Sequence, residues 1–144
     1  MKTFTTTIVI RAKPEIIWSI LTKAEDYASW NTTVDRVEGT IRPGETVKLF
    51  VKLNPGRAFP VKVTEYVPPS RMVWSGGMPL GLFKGERVFS LKPISETEVE
   101  FSMTEVFSGL MSPLIEKSLP DMQPAFDEFA LRLKERAEKE SPGV

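Results

Sequence analysis

Met111–Glu140, MSPLIEKSLPDMQPAFDEFALRLKERAEKE, is the stretch that decides how the rest of this chain is read. Its apolar residues fall at Ile115, Leu119, Met122, Phe126, Phe129, Leu133 and Ala137. Steps of three and four put them on one stripe of a helix. Pro120 and Pro124 interrupt the period, and a proline deep inside a helix costs about 3 kcal/mol or more. The expectation is therefore a short first helix over 112–118. A main helix follows, starting near Asp121 as N-cap with Pro124 inside its first turn. The charges of Lys134 to Glu140 read as a solvated helix end.

A helix with one apolar stripe needs a partner, and the upstream sequence supplies a sheet. From Val34 to Phe107 helical period is scarce and two-residue alternation is common. Val34 to Ile41 reads as a strand. Val47, Leu49, Val51 and Leu53 alternate with Lys48, Phe50 and Lys52, and Phe59, Val61 and Val63 alternate with Lys62 and Thr64. Pro43-Gly44, Asn54-Pro55-Gly56 and Pro68-Pro69-Ser70 are turn signals, a short strand covers Arg71 to Ser75, and Gly76 to Gly81 reads as an irregular loop. Leu82 to Lys92 and Glu98 to Phe107 form the last hairpin. Ahead of all this, Phe4 to Arg11 is a strand rich in Thr, Ile and Val. Pro14 then opens a helix bearing Ile17, Trp18, Ile20 and Leu21, and a second short helix covers Ala24 to Ser29. The expected fold is α+β: a helix-grip, in which a curved antiparallel sheet of about seven strands wraps around a long C-terminal helix, with two short helices after the first strand. A sheet curled around one helix tends to leave space between them, which points to a container for a small apolar molecule.

Composition narrows the chemistry. A chain of 144 residues is expected to form one domain over 1–144. Nineteen basic and nineteen acidic residues cancel, which argues against nucleic acid as a partner. Cys and His are both missing. That excludes disulfides, zinc sites built from those residues, a thiol nucleophile, a Ser-His-Asp triad and any His general base. No metal and no cofactor are implied. Met1 to Arg11 holds no apolar run of signal-peptide length, and no segment nears the roughly eighteen apolar residues of a membrane span. The chain is accordingly placed in the cytoplasm.

Four phrases carry a resemblance. They are Ala12-Lys13-Pro14-Glu15-Ile16-Ile17-Trp18, Asp26-Tyr27-Ala28-Ser29-Trp30-Asn31, Val63-Thr64-Glu65-Tyr66-Val67-Pro68-Pro69 with Met72-Val73-Trp74, and Thr104-Glu105-Val106-Phe107-Ser108-Gly109. In this order they resemble the SRPBCC superfamily, which includes START domains, birch-pollen-allergen-like proteins and polyketide cyclase/dehydrase-like bacterial proteins. The resemblance implies the helix-grip and a deep apolar cavity. It says little about the ligand, because relatives take lipids, sterols, polyketides and plant metabolites. The phrase around Arg87 lacks a His that relatives often carry there, so no role of that His transfers.

Alternation assigns faces to the last hairpin. Arg87, Phe89 and Leu91 share one face; Val99, Phe101, Met103, Glu105 and Phe107 share the matching one. If Phe89 lies opposite Met103, Arg87 lies opposite Glu105. A charge on an apolar face is costly unless paired, so the two are expected to form an ion pair on the cavity wall. Such a pair can simply fix register. It can also let Arg87 orient a ligand carboxylate, phenolate or carbonyl while Glu105 holds the guanidinium. Trp30, Phe59, Trp74, Phe89, Phe101, Phe126 and Phe129 are expected to point inward and, with Val61, Met103 and Met122, to line a pocket of about 300–1,000 Å³. Each also serves as ordinary core, and Trp18 reads as plain core. The loop Gly76 to Gly81 and the junction Ser108 to Pro113 are the adaptable segments at its rim. The leading functional expectation is binding of a small hydrophobic or amphipathic molecule, without catalysis, by a monomer or homodimer. One alternative is a cyclase/dehydratase acting on a polyketide-like substrate. There Arg87 would stabilise charge on a carbonyl oxygen, with Glu105 or Tyr66 moving protons. The other is a protein-interaction module of the chaperone-activator type, which should show a filled interior and an exposed apolar patch.

Overall fold

The computed structural model describes residues 2–141; Met1 and residues 142–144, the ends of the expected 1–144 domain, lie outside the described residues. The chain runs β1 (Lys2–Ile10), α1 (Pro14–Leu21), a 3-10 turn (Ala24–Asp26), α2 (Tyr27–Trp30), then β2 (Val34–Glu38), β3 (Thr46–Val51), β4 (Ala58–Val67), β5 (Arg71–Met78), β6 (Phe83–Pro93) and β7 (Val99–Ser108). It closes with α3 (Ser112–Glu116) and α4 (Gln123–Glu140). One antiparallel sheet holds all seven strands in the order β1-β7-β6-β5-β4-β3-β2. It curls into a half-barrel whose concave face receives α4: this is the helix-grip.

Strands β2 to β7 pair with their sequence neighbours, and only β1 returns from far in sequence, to pair with β7. In the last hairpin Phe89 pairs with Met103 and Arg87 with Glu105, the register that the alternation predicts. The core is drawn from the concave face and the helix stripe. Met72, Trp74, Phe89, Phe101 and Met103 come from the sheet, and Phe126, Phe129, Leu133 and Ala137 from α4.

The start of α4 differs by a step from the sequence reading. The helix begins at Gln123, with Met122 in the capping position. Asp121 still contributes, because its Oδ1 accepts the Gln123 amide at 3.0 Å. Two strand readings need correction. Gly76, Gly77 and Met78 belong to β5 and not to a loop. Glycine composition resembles a loop, but here it serves close backbone approach: Gly77 has φ +134°, and a Cβ there would lie 2.4 Å from the Phe83 carbonyl oxygen. Tyr66, which unbroken alternation along β4 would put on the outward face with Lys62, instead packs edge-on against Trp18 with ring centroids 5.3 Å apart. The cause is a register shift between Val63 and Glu65, which reverses the faces beyond it.

What seats α4 is the open edge of the sheet. An edge strand presents unpaired backbone groups. Gln123 Nε2 donates to the Thr5 carbonyl at 2.8 Å, Lys134 Nζ donates to the Val9 carbonyl at 2.9 Å, and the Arg11 amide donates to Glu138 Oε2 at 2.9 Å. Thr6 adds a side-chain bond to Asp127 at 3.0 Å. Burial pushes the Glu138 carboxyl up, but the bonds from Lys134 and the Arg11 amide outweigh it and leave its pKa lowered. Thus part of the charge run does more than face water. The helix approaches β1 most closely of all the strands.

Leu133 is fully buried on the stripe, whereas Leu131 is on the outer side. Leu133→Ala should cost about 2–5 kcal/mol in urea unfolding, through lost burial and the cavity left behind. Leu131→Ala should change stability by no more than about 0.5 kcal/mol. Equal effects would show that the stripe is misassigned.

Candidate ligand site

Because α4 is held to the β1 edge, room remains toward β2 and β3. A cavity of about 60 Å³ lies there. Its walls come from α2 (Tyr27), β2 (Val34, Val37), β3 (Leu49, Val51), β5 (Trp74), β6 (Arg87), β7 (Met103) and the start of α4 (Met122 at its cap, then Ala125, Phe126 and Phe129 over the first two turns). Thr33 and Leu53 complete it. Leu53 is half exposed and marks the side that meets solvent.

The volume falls well below the range of about 300–1,000 Å³ expected for a small-molecule pocket. The reason is the ring web at its floor. Tyr27 packs on Trp30 at 5.0 Å, on Trp74 at 6.2 Å and on Phe129 at 6.3 Å, centroid to centroid. Trp74 in turn meets Phe89 at 4.7 Å, and Phe101 stacks on Phe129 at 6.3 Å. Rings that alternation turns inward meet each other before they enclose a large void.

Of the residues expected to line a pocket, Trp74, Arg87, Met103, Met122, Phe126 and Phe129 border the cavity. Trp30, Phe89 and Phe101 are buried in the core just behind it. Phe59 and Val61 are partly buried on β4, opposite Leu49 and Val47, and do not reach it. Glu105, also expected in the lining, does not border the cavity and stands behind Arg87, to which it is bonded. Sequence reasoning missed Tyr27, Thr33, Val34, Val37 and Ala125. Val34 and Val37 sit on one face three residues apart because β2 bulges between Val34 and Arg36, which hides their alternation. The alternation of Leu49, Val51 and Leu53 was visible, but nothing showed which way that face turns.

The polar feature of the wall is the pair Arg87–Glu105. Arg87 Nε donates to Glu105 Oε1 at 2.6 Å, with side chains 16% and 12% exposed. The guanidinium carbon lies 4.9 Å from the centre of the Phe126 ring, a cation–π contact. Tyr27, fully buried, donates its hydroxyl to the Leu21 carbonyl at 2.5 Å. Burial pushes its pKa far above the ordinary value, against the opposing pull of the Arg87 charge. It therefore stays a neutral phenol. Tyr66 is not among the cavity residues.

A second, wider hollow between α1 and α4 is polar and open. Of its three cations, Lys23 and Arg136 are bridged to Asp26 and Glu140, and Lys139 stands beside them. Apolar side chains are exposed instead at the tip of the β5–β6 hairpin and the junction to α3, where Leu80, Leu110 and Leu114 are 92%, 82% and 65% exposed. The Leu110 amide bonds Gly81 O at 3.1 Å, which brings these leucines to one end of the molecule. Gly109, at φ +113°, makes that junction possible, since a Cβ would meet the Leu82 carbonyl at 2.7 Å.

Two outcomes follow from the wall. Glu105→Gln should destabilise by about 3–5 kcal/mol in urea, because Arg87 is left buried without its counter-charge; the double variant Arg87→Met/Glu105→Leu should recover most of that. Tyr27 sets an alkaline limit. Below pH ~10 both folded and unfolded states keep the phenol protonated, and its contribution is full. Above that pH the unfolded chain ionises while the folded one does not, so stability falls by up to about 1.4 kcal/mol per pH unit. Urea midpoints between pH 9 and 11 should show a shallower decline in Tyr27→Phe than in the native protein; parallel curves would contradict the assignment.

Comparison with known proteins now adds a family. Residues 1–138 match the model of the family described as polyketide cyclase / dehydrase and lipid transport. No curated protein matches the chain in sequence. Among solved structures, a START superfamily protein from Mycobacterium smegmatis is similar at 19% identity with a TM-score of 0.70, covering 95% of this chain and 97% of that one. The Zhui aromatase/cyclase from Streptomyces sp. R1128 is similar at 12% identity and TM-score 0.71, over 96% and 94%. The Aha1 dimer from Colwellia psychrerythraea is similar at 23% identity and TM-score 0.72, over 96% and 97%. At these identities the likeness is one of fold.

Proposed function

The chain belongs to the polyketide cyclase / dehydrase and lipid transport family, and from that premise we propose that it binds a small hydrophobic or amphipathic molecule between the sheet and α4. The observation that carries this reading is the cavity itself: an apolar enclosure with one basic group in its wall. The known size of small-molecule sites requires the cavity to widen around a ligand. Met122, a flexible thioether at the start of α4, and half-exposed Leu53 are the residues that can give way. Arg87, held by Glu105, would orient the polar end of the ligand. Nothing in this reading needs a reaction, and none is assigned. We place the whole chain in one ligand-binding domain, acting as a monomer or homodimer. No described helix is long and apolar enough to cross a membrane.

A second reading has its own observation. The small cavity and the exposed Leu80, Leu110 and Leu114 fit an interaction module, which docks a protein through that end.

Native mass spectrometry separates the two. A ligand carrier should show a non-covalent adduct that is released intact on denaturation. Ala125→Trp, which plugs the mouth from α4, should reduce that adduct at least about tenfold in a protein that still unfolds cooperatively. An adduct-free native protein that takes up no apolar probe would defeat the ligand reading and favour the module.

A further inference from the structure

Trp74 stands directly opposite Arg87 in the β5–β6 ladder, and both residues border the cavity. Trp74 is 2% exposed, and its indole Nε1–H finds no acceptor among the described residues. An indole nitrogen can only donate, and a buried donor without a partner is costly, so this group calls for an oxygen. Arg87 uses its Nε–H on Glu105. Its terminal N–H groups meet no acceptor among the described residues. Tyr27 offers no competing donor, since its hydroxyl hydrogen already goes to the Leu21 carbonyl.

We infer that Trp74 and Arg87 together form a two-donor subsite for one oxygen of the ligand, and that this oxygen belongs to a neutral carbonyl. The inference rests on the cavity being the ligand site. Charge selects the class of acceptor. Glu105 already neutralises Arg87, so an entering carboxylate would bring one uncompensated negative charge into an apolar enclosure. A ketone, aldehyde or amide oxygen satisfies both donors and adds no charge. The carbonyl end therefore lies against β5 and β6, and the apolar remainder runs along Val37, Leu49 and Phe126 toward Leu53. A water molecule can serve the same donors before the ligand arrives, and the ligand oxygen takes its place.

Three probes of near-equal size test this: acetophenone, isopropylbenzene and benzoate. Their binding is followed on the indole N–H resonances of the native protein and of Trp74→Phe, which removes the donor and keeps a ring. In the native protein acetophenone should bind with a downfield shift of the Trp74 resonance, and benzoate should bind more weakly than acetophenone. The ratio of the isopropylbenzene Kd to the acetophenone Kd should fall about tenfold in Trp74→Phe. An unchanged ratio, or tighter binding of benzoate, overturns the subsite while isopropylbenzene binding leaves the cavity standing. Failure of all three probes to bind overturns both. Should Trp74→Phe not fold, the native resonance decides: a shift with acetophenone and none with isopropylbenzene supports the subsite, and equal shifts refute it.

Discussion

The constraint on which the structure depends is the unfinished edge of β1. Its backbone groups at Thr5 and Val9, and that of Arg11 just past its end, would otherwise face solvent or a second chain. They are met by Gln123, Lys134 and Glu138, spread along α4, with Thr6 and Asp127 between them. The same helix that covers the apolar face is thus bonded to the sheet rim. Its depth over the other strands is then set by side chains alone. Large rings from β5, β6 and β7 fill most of that interval, and the remainder, toward β2 and β3, is the cavity.

Inside this arrangement Arg87, backed by Glu105, is the one charged group among the described residues of the lining. Its geometry is favourable, with a short charge-assisted bond and a ring face above the guanidinium. Replacing such pairs by hydrophobic residues is often neutral or stabilising, so stability alone does not account for it. The proposed role in selecting what enters the cavity would account for it, and would make the unmet indole of Trp74 the second half of one recognition element.

Most of the fold was legible in the sequence, because period two and period 3.6 are each set by backbone geometry. The pairing of Phe89 with Met103 and Arg87 with Glu105 needed only alternation and one fixed point. The misses share a physical origin in local departures from regularity. A bulge turned Tyr66 toward Trp18, another concealed Val34 and Val37, and glycines disguised the end of β5 as a loop. The size of the cavity lay further out of reach. It depends on how Tyr27, Trp30, Trp74 and Phe129 settle against one another, and pattern gives the face of a ring without its tilt.

The bare leucines at the hairpin tip and the neighbouring α3 junction carry a consequence for the behaviour of the protein in solution. Nineteen positive and nineteen negative side chains leave no long-range repulsion between molecules near neutrality. With Leu80 and Leu110 almost wholly uncovered, short-range adhesion between copies meets little opposition. Kosmotropic salts should therefore drive these molecules together, while a shift of pH away from neutrality, by charging every copy alike, should keep them dispersed.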